Sequence, residues 1–400
     1  MEPDPREIAL SIGSQTLPDI KNHTLGTTLD RILPHEGGVA LKIGLLGFSK
    51  VGKTTLFNIL TGAHVAVEKY ASGKAEPNVG VAKVPEPRLD LLSTMFKPKK
   101  TTHAHVDFLD IVGLQKGEAK SIDLKEMRNV DAIAHVVRAF RDDSIPHSEG
   151  SIDPRRDIGT METELILADL DVAQRRLERL ELNIKKAKNK DDELELPVVR
   201  RCLEALERET PIRELDLSDD DLKKIRGFAF LTARPMLLIV NLDEADVKTM
   251  AGFVERFGLQ PLAARRQMAL CAISAKVEEE IASLDAADAR AFLDDLGLQE
   301  PAKDRLIRAA FGLLGLIQFF TVGEDECRAW PVRRGATAPR AAGAIHSDFE
   351  KGFIRAEVVS YDDLVAMGSI AAAREKARLR SEGKTYVVQD GDVINFRFNV

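Results

Sequence analysis

The sequence predicts an α/β chain: a largely parallel sheet, interrupted by an α-helical hairpin and followed by a smaller module richer in strands. Three observations predict it. Six short apolar runs alternate with helical patterns, as buried strands of a parallel sheet do: Leu41 to Leu46, Asn78 to Val84, His105 to Ile111, Ala132 to Val137, Pro235 to Val240 and Met268 to Ile273. Between the fourth and fifth runs, Leu170, Ala173, Leu177, Leu180 and Ile184 recur at spacings of three and four, and Leu196, Val199, Leu203 and Leu206 resume after a polar break at Lys188 to Asp192. From about Val322 the texture becomes strand-like at Arg328 to Val332, Phe353 to Val359, Thr385 to Val388 and Val393 to Phe398, with one helix at Ala371 to Arg380 and a turn at Asp390-Gly391-Asp392.

The chain has 400 residues, enough for two or three domains. Residues 1–40, with four prolines and a Gly37-Gly38 pair, read as an extension, helical around Thr27 to Ile32 and otherwise irregular. They lack the basic start and apolar centre of a secretory leader, and no run approaches the length of a membrane span. Cys202, Cys271 and Cys327 lie far apart without metal-ligand spacing, which points to buried thiols in a reducing compartment. A cytoplasmic monomer with no membrane partner is expected. A net charge of −7 excludes a generally basic surface for nucleic acid, though not a local patch. Lys185, Lys186, Lys188 and Lys190 at the hairpin tip are such a patch, with solvated charge as the commoner explanation.

The first strand runs into Gly47-Phe48-Ser49-Lys50-Val51-Gly52-Lys53-Thr54-Thr55, a complete G-x-x-x-x-G-K-T, and then into the apolar helix pattern Leu56 to Leu60. Strand, loop and helix in that order are the context a phosphate-binding loop requires. The glycines let the backbone curl so that its N–H groups, from Gly47 through Ser49, Lys50, Val51, Gly52 and Thr55, face a triphosphate. Lys53 reaches the outer phosphates and offsets charge in the reaction, and Thr54 ligates magnesium. Asp110, at the end of the third apolar run, supplies the carboxylate for the magnesium shell, and Gly113 follows as the γ-phosphate sensor. Leu114 stands where a water-orienting glutamine is common, with Gln115 one place on.

Base recognition falls to Asn241-Leu242-Asp243-Glu244 and to the Ser274-Ala275-Lys276 loop, whose amides finish the pocket. A guanine site of the form Asn-Lys-x-Asp uses its aspartate to accept two hydrogen bonds from the base. Glu244 takes that place with a longer side chain and Leu242 replaces the lysine, offering an apolar contact to a purine face. Adenine becomes the expected base. A shifted register would make Asp243 the reader, but the spacing favours Glu244.

With these motifs, Glu76-Pro77-Asn78-Val79-Gly80-Val81, Pro87-Arg88-Leu89-Asp90, His135-Val136-Val137-Arg138 and the tail from Arg328-Ala329-Trp330 to Asn399-Val400, the chain resembles the YchF-type ribosome-binding ATPases, an Obg-related family of P-loop GTPases. The resemblance covers about residues 41–400. It implies a P-loop G-domain fold over 41–157 and 226–314, a helical coiled-coil insertion over 158–225, and a C-terminal β-grasp (TGS) domain over 315–400. It also implies slow ATP hydrolysis and ribosome or ribosomal-RNA binding, in which Arg328, Arg333, Arg334, Arg340 and Lys351 are the better RNA contacts and Phe353 is a core residue. His147 matches a family loop histidine considered for water positioning, while His135, inside an apolar strand, reads as a core residue.

The chain departs from that pattern at three places. Lys50 replaces an asparagine that helps bind potassium in related enzymes, so its ammonium either takes the ion's place or points to solvent. Lys74 stands where a threonine completes the magnesium shell, and the segment after Gly113 is short. An Obg-type GTPase and a nucleotide-gated RNA-binding module without turnover are therefore the alternative readings.

Overall fold

The computed structural model describes residues 41–65, 77–110, 126–186 and 189–399. The expected extension, Lys74, Gly113, Gln115 and Lys188 lie outside these residues. A six-stranded sheet has the order β2-β4-β1-β5-β6-β7, from β1 (Leu41–Leu46), β2 (Asn78–Lys83), β4 (His105–Asp110), β5 (Ala132–Arg138), β6 (Met236–Asn241) and β7 (Met268–Ile273). All neighbours are parallel except β2, which runs antiparallel to β4. Every residue of β5 and β6 is buried, as strands covered on both faces must be. The carboxyl ends of β1, β4, β5, β6 and β7 therefore open on one edge, where α/β sheets present their sites. Helix α1 (Lys53–Thr61) leaves that edge and packs Leu56, Phe57, Ile59 and Leu60 into the core.

The chain then builds α2 (Pro87–Phe96), the short β3 (Lys100–Thr102), and the long antiparallel pair α3 (Pro154–Lys186) and α4 (Lys190–Glu207). Met161 and Leu165 of α3 join the main core, whereas Ile166 and Ala173 meet Val198, Cys202 and Leu206 in a core of the hairpin's own. Asp169 anchors the hairpin base. Fully buried, it accepts hydrogen bonds from Leu231 N, Thr232 N, Thr232 Oγ1 and Arg128 Nη1 at 2.7–3.0 Å.

The second sheet is mixed, with the order β11-β10-β12-β8-β9-β3. Its strands are β8 (Leu316–Thr321), β9 (Glu326–Arg333), β10 (Phe353–Ser360), β11 (Arg380–Glu382), β12 (Asp392–Phe398) and, from far upstream, β3. A helix over Ala302–Leu313 gives way at Leu316 to β8, an apolar strand that follows it too closely for a pattern to separate them. Thr385 to Val388 is not a strand but carries one bridge, Thr337 to Val387, and the expected helix at Ala371 to Arg380 is shorter, Ile370–Glu375. Further helices at Ala338–Ile345, Ser347–Lys351 and Tyr361–Met367 were not legible as helical repeats because each is eight residues or fewer. Phe353 lies in this core as expected, and Phe349 stacks on Phe398 with ring centroids 3.7 Å apart.

Helix α2 belongs to both halves. Glu86 caps it, accepting from Arg88 N, and Leu89 and Leu92, three apart and fully buried, pack with Phe320, Cys327, Ala329, Val359, Leu364 and Val393 of the C-terminal half. Arg88 pairs with Glu86 and with Asp390 at 2.8 Å, and Gln318 Nε2 donates to Glu86 Oε2 at 3.0 Å. Lys100, Thr101 and Thr102 extend β9 in parallel register. Truncating Leu92 to alanine is expected to cost about 2–5 kcal/mol, read as a lower thermal midpoint with faster proteolysis of residues 316–399; an unchanged melt would refute this account of the joint.

Candidate functional site

At the end of β1 the chain turns through Gly47 and Gly52, with φ of 154° and 96°. Neither accepts a side chain. A Cβ on Gly47 would strike the Val136 carbonyl of β5, and one on Gly52 would lie 2.5 Å from Asn241 Nδ2. Lys50 also has a positive φ, 64°, and is exposed at the crest of the loop, whereas Val51 is buried. The loop so formed precedes α1, whose first amides have no partners within the helix and whose end carries positive charge.

Lys53 is 7 % exposed and folds back on the loop, its Nζ donating to Gly47 O at 3.0 Å and Phe48 O at 2.8 Å. Burial lowers its pKa to about 8, against the opposing pull of Asp110. Thr54 Oγ1 donates to Asp110 Oδ2 at 2.8 Å, so the two residues expected to share a cation already meet. Burial raises the Asp110 pKa, and hydrogen bonds from Thr54 and Asn78 and the Lys53 charge oppose the rise. Asn78 opens β2 opposite Asp110, and its role was not read from the sequence. The signal was its place at the head of a strand directly after Glu76-Pro77.

Asn241, 3 % exposed at the end of β6, ties the two halves of the site together. Its Nδ2 donates to Val51 O at 3.0 Å and its Oδ1 accepts from Ala275 N at 3.0 Å, so the phosphate loop and the loop after β7 share one amide side chain. Ser274 is buried there with its Oγ unpartnered. Asp243 is turned away from base reading: it caps the next helix through Ala245 N and accepts from Arg141 N at 3.1 Å. Glu244 remains partly exposed and forms an ion pair with Lys276.

One expectation is corrected. Leu242 offers no face to a purine: it is 3 % exposed and packs with Val240, Val247 and Met250, because an apolar side chain at that position falls into the core beneath the helix. His147 is packed within its loop. Its side chain is 5 % exposed, Nδ1 accepts from Glu149 N at 3.1 Å, and Nε2 lies 3.0 Å from Asp157 Oδ2 at the start of α3, out of line for a hydrogen bond. Arg138 braces the same loop by donating to the carbonyls of Phe140, Asp142 and Ile145. His135 is buried in β5, and burial pushes its pKa down to about 3, so the ring is neutral.

Among the described residues no helix is long and apolar enough to cross a membrane. Residues 42–195 match the family described as "50S ribosome-binding GTPase", and residues 316–399 match the YchF-GTPase C-terminal family, described as a protein of unknown function. The ribosome-binding ATPase YchF of Bacillus subtilis is 43 % identical over 367 residues, 90 % of this chain and 100 % of that protein. That of Escherichia coli O157:H7 is 42 % identical over 369 residues, with the same coverage. The structure of the Schizosaccharomyces pombe YchF GTPase superposes with a TM-score of 0.76 at 30 % identity, covering 91 % of this chain and 100 % of that one. A P-loop at the end of β1, a helical hairpin between β5 and β6, a mixed C-terminal sheet and relatives matched over their whole length place this chain in the YchF family of ribosome-binding ATPases, within the Obg-related P-loop GTPases.

Proposed function

We propose that this protein binds ATP with magnesium at the loop Gly47 to Thr55, hydrolyses it, and associates with ribosomes in a nucleotide-dependent way in the cytoplasm. One observation carries the reading: the Lys53 ammonium and the Thr54–Asp110 pair stand ready on the carboxyl edge of the sheet, 2.8–3.0 Å from their partners, with no chemistry to serve in a bare turn. The hydroxyl of Thr54 and the carboxylate of Asp110 are hard oxygen donors. They suit magnesium, which takes one or two protein oxygens and completes its shell with water and phosphate. These two residues would hold the ion, which would supply charge neutralisation at the phosphates.

The chain's own residues do the rest. Lys53 exchanges its two carbonyl partners for phosphate oxygens, and that contact restores full charge to an ammonium that burial has made more acidic. The loop amides and the start of α1 hold the phosphates, while Asn241 fixes the distance between that cradle and the base slot. Glu244 and the amides following Ser274 face the base. The working partition is a G domain over 41–157 and 226–314, a helical insertion over 158–225 and a C-terminal module over 315–400. The exposed Lys185, Lys186 and Lys190 of the hairpin tip and Arg328, stacked on Trp330 at 3.9 Å, are ribosome-facing candidates.

Competition of ATP against GTP for a fluorescent nucleotide is expected to favour ATP; a preference for GTP would instead support the Obg-type reading. Lys53→Ala is expected to lower steady-state phosphate release by about 100-fold or more, and release by the unaltered chain no greater than that variant's would leave a binding module without turnover. His147 is assigned to holding its loop. His147→Ala should therefore change turnover less than about three-fold, well short of the ~100-fold a general acid or base contributes, and a larger loss would return it to the chemistry.

A further inference from the structure

We propose that Lys276 is a positioning residue that sets the base preference, by drawing on one carboxylate oxygen of Glu244 so that a base presenting one N–H on its pairing edge is favoured over a base presenting two. The inference rests on the nucleotide-site reading above. Of the four residues Asn241 to Glu244, three are committed elsewhere: Asn241 to Val51 O and Ala275 N, Leu242 to the core, and Asp243 to the helix cap and Arg141 N. Glu244 stands at the same strand end with 42 % of its side chain exposed.

That carboxylate is not free. Lys276 Nζ pairs with Glu244 Oε1, and the bond from Ala275 N to Asn241 Oδ1 fixes the start of the helix Ala275–Ser283, which carries Lys276, against the end of β6, shortly before Glu244. The hydrogen bond and charge of Glu244 raise the Lys276 pKa, with Glu280 and Asp243 adding to them, so the exposed ammonium stays protonated. Reading guanine takes both oxygens of a carboxylate, one for N1–H and one for the 2-amino group. The Lys276 ammonium draws charge from Oε1 and crowds the approach to it, which leaves Oε2 the stronger acceptor, and on its pairing edge adenine presents one N–H of its 6-amino group beside the N1 acceptor. Guanine presents two donors on that edge and would have the second poorly met, a penalty of the kind that separates substrates differing by one polar group.

The experiment is competitive displacement of a fluorescent ATP analogue by ATP, GTP and ITP, with magnesium, on the full chain and on Lys276→Ala and Lys276→Arg. The expected result is an ATP-over-GTP preference reduced about five-fold in Lys276→Ala, through tighter GTP binding, the effect being limited because the pair is open to water. ITP, lacking the 2-amino group, should gain less than GTP. Lys276→Arg keeps the pair and should keep the preference. A ratio unchanged in Lys276→Ala while the unaltered chain binds ATP would overturn the inference and leave the site reading intact, and so would equal weakening of all three nucleotides. No ATP binding by the unaltered chain would overturn both.

Discussion

Taking the Lys53 ammonium out of water is the constraint on which the site is built. A cation at 7 % exposure would be costly without partners, and the chain supplies two backbone carbonyls, Gly47 O and Phe48 O, from the loop that the lysine itself closes. Those carbonyls point inward only because Gly47 and Gly52 take backbone angles closed to other residues, and Asn241 blocks any side chain at Gly52. The loop, the helix behind it and the strand two places along thus determine one another. Asp110 adds the balancing charge from β4.

The phosphate cradle was legible in the sequence because its chemistry demands fixed residue types at fixed spacing: Gly52, Lys53 and Thr54 admit few substitutes, and Asp110 ends an apolar run. The main sheet was legible for a similar reason, since strands buried on both faces read as unbroken apolar runs. What was not legible was where a side chain turns. Leu242 was read as facing a ligand, yet a strand end offers two directions and the apolar one leads into the core. His147 sits in a loop whose path is drawn by Arg138 and α3, partners remote in sequence. Asn78 was passed over because an asparagine heading a strand usually signals no more than a turn.

The C-terminal half was harder to read. Its helices are short, β8 abuts the helix before it, and β3 has three polar residues that become a strand only because β9 is there to receive them. Strand pairing between residues more than two hundred positions apart leaves no local pattern. The same holds for Glu86, whose carboxylate serves its own helix cap and Arg88 while also accepting from Gln318.

Lending α2 and β3 to the C-terminal core has a consequence for where the chain can be divided. A C-terminal module grafted onto another carrier would arrive without its sixth strand and with a groove where Leu89 and Leu92 had been, and the donor would be left with a greasy helix in water. A cut at the domain boundary would therefore yield misfits on both sides, so residues 87–102 and the C-terminal sheet stay together.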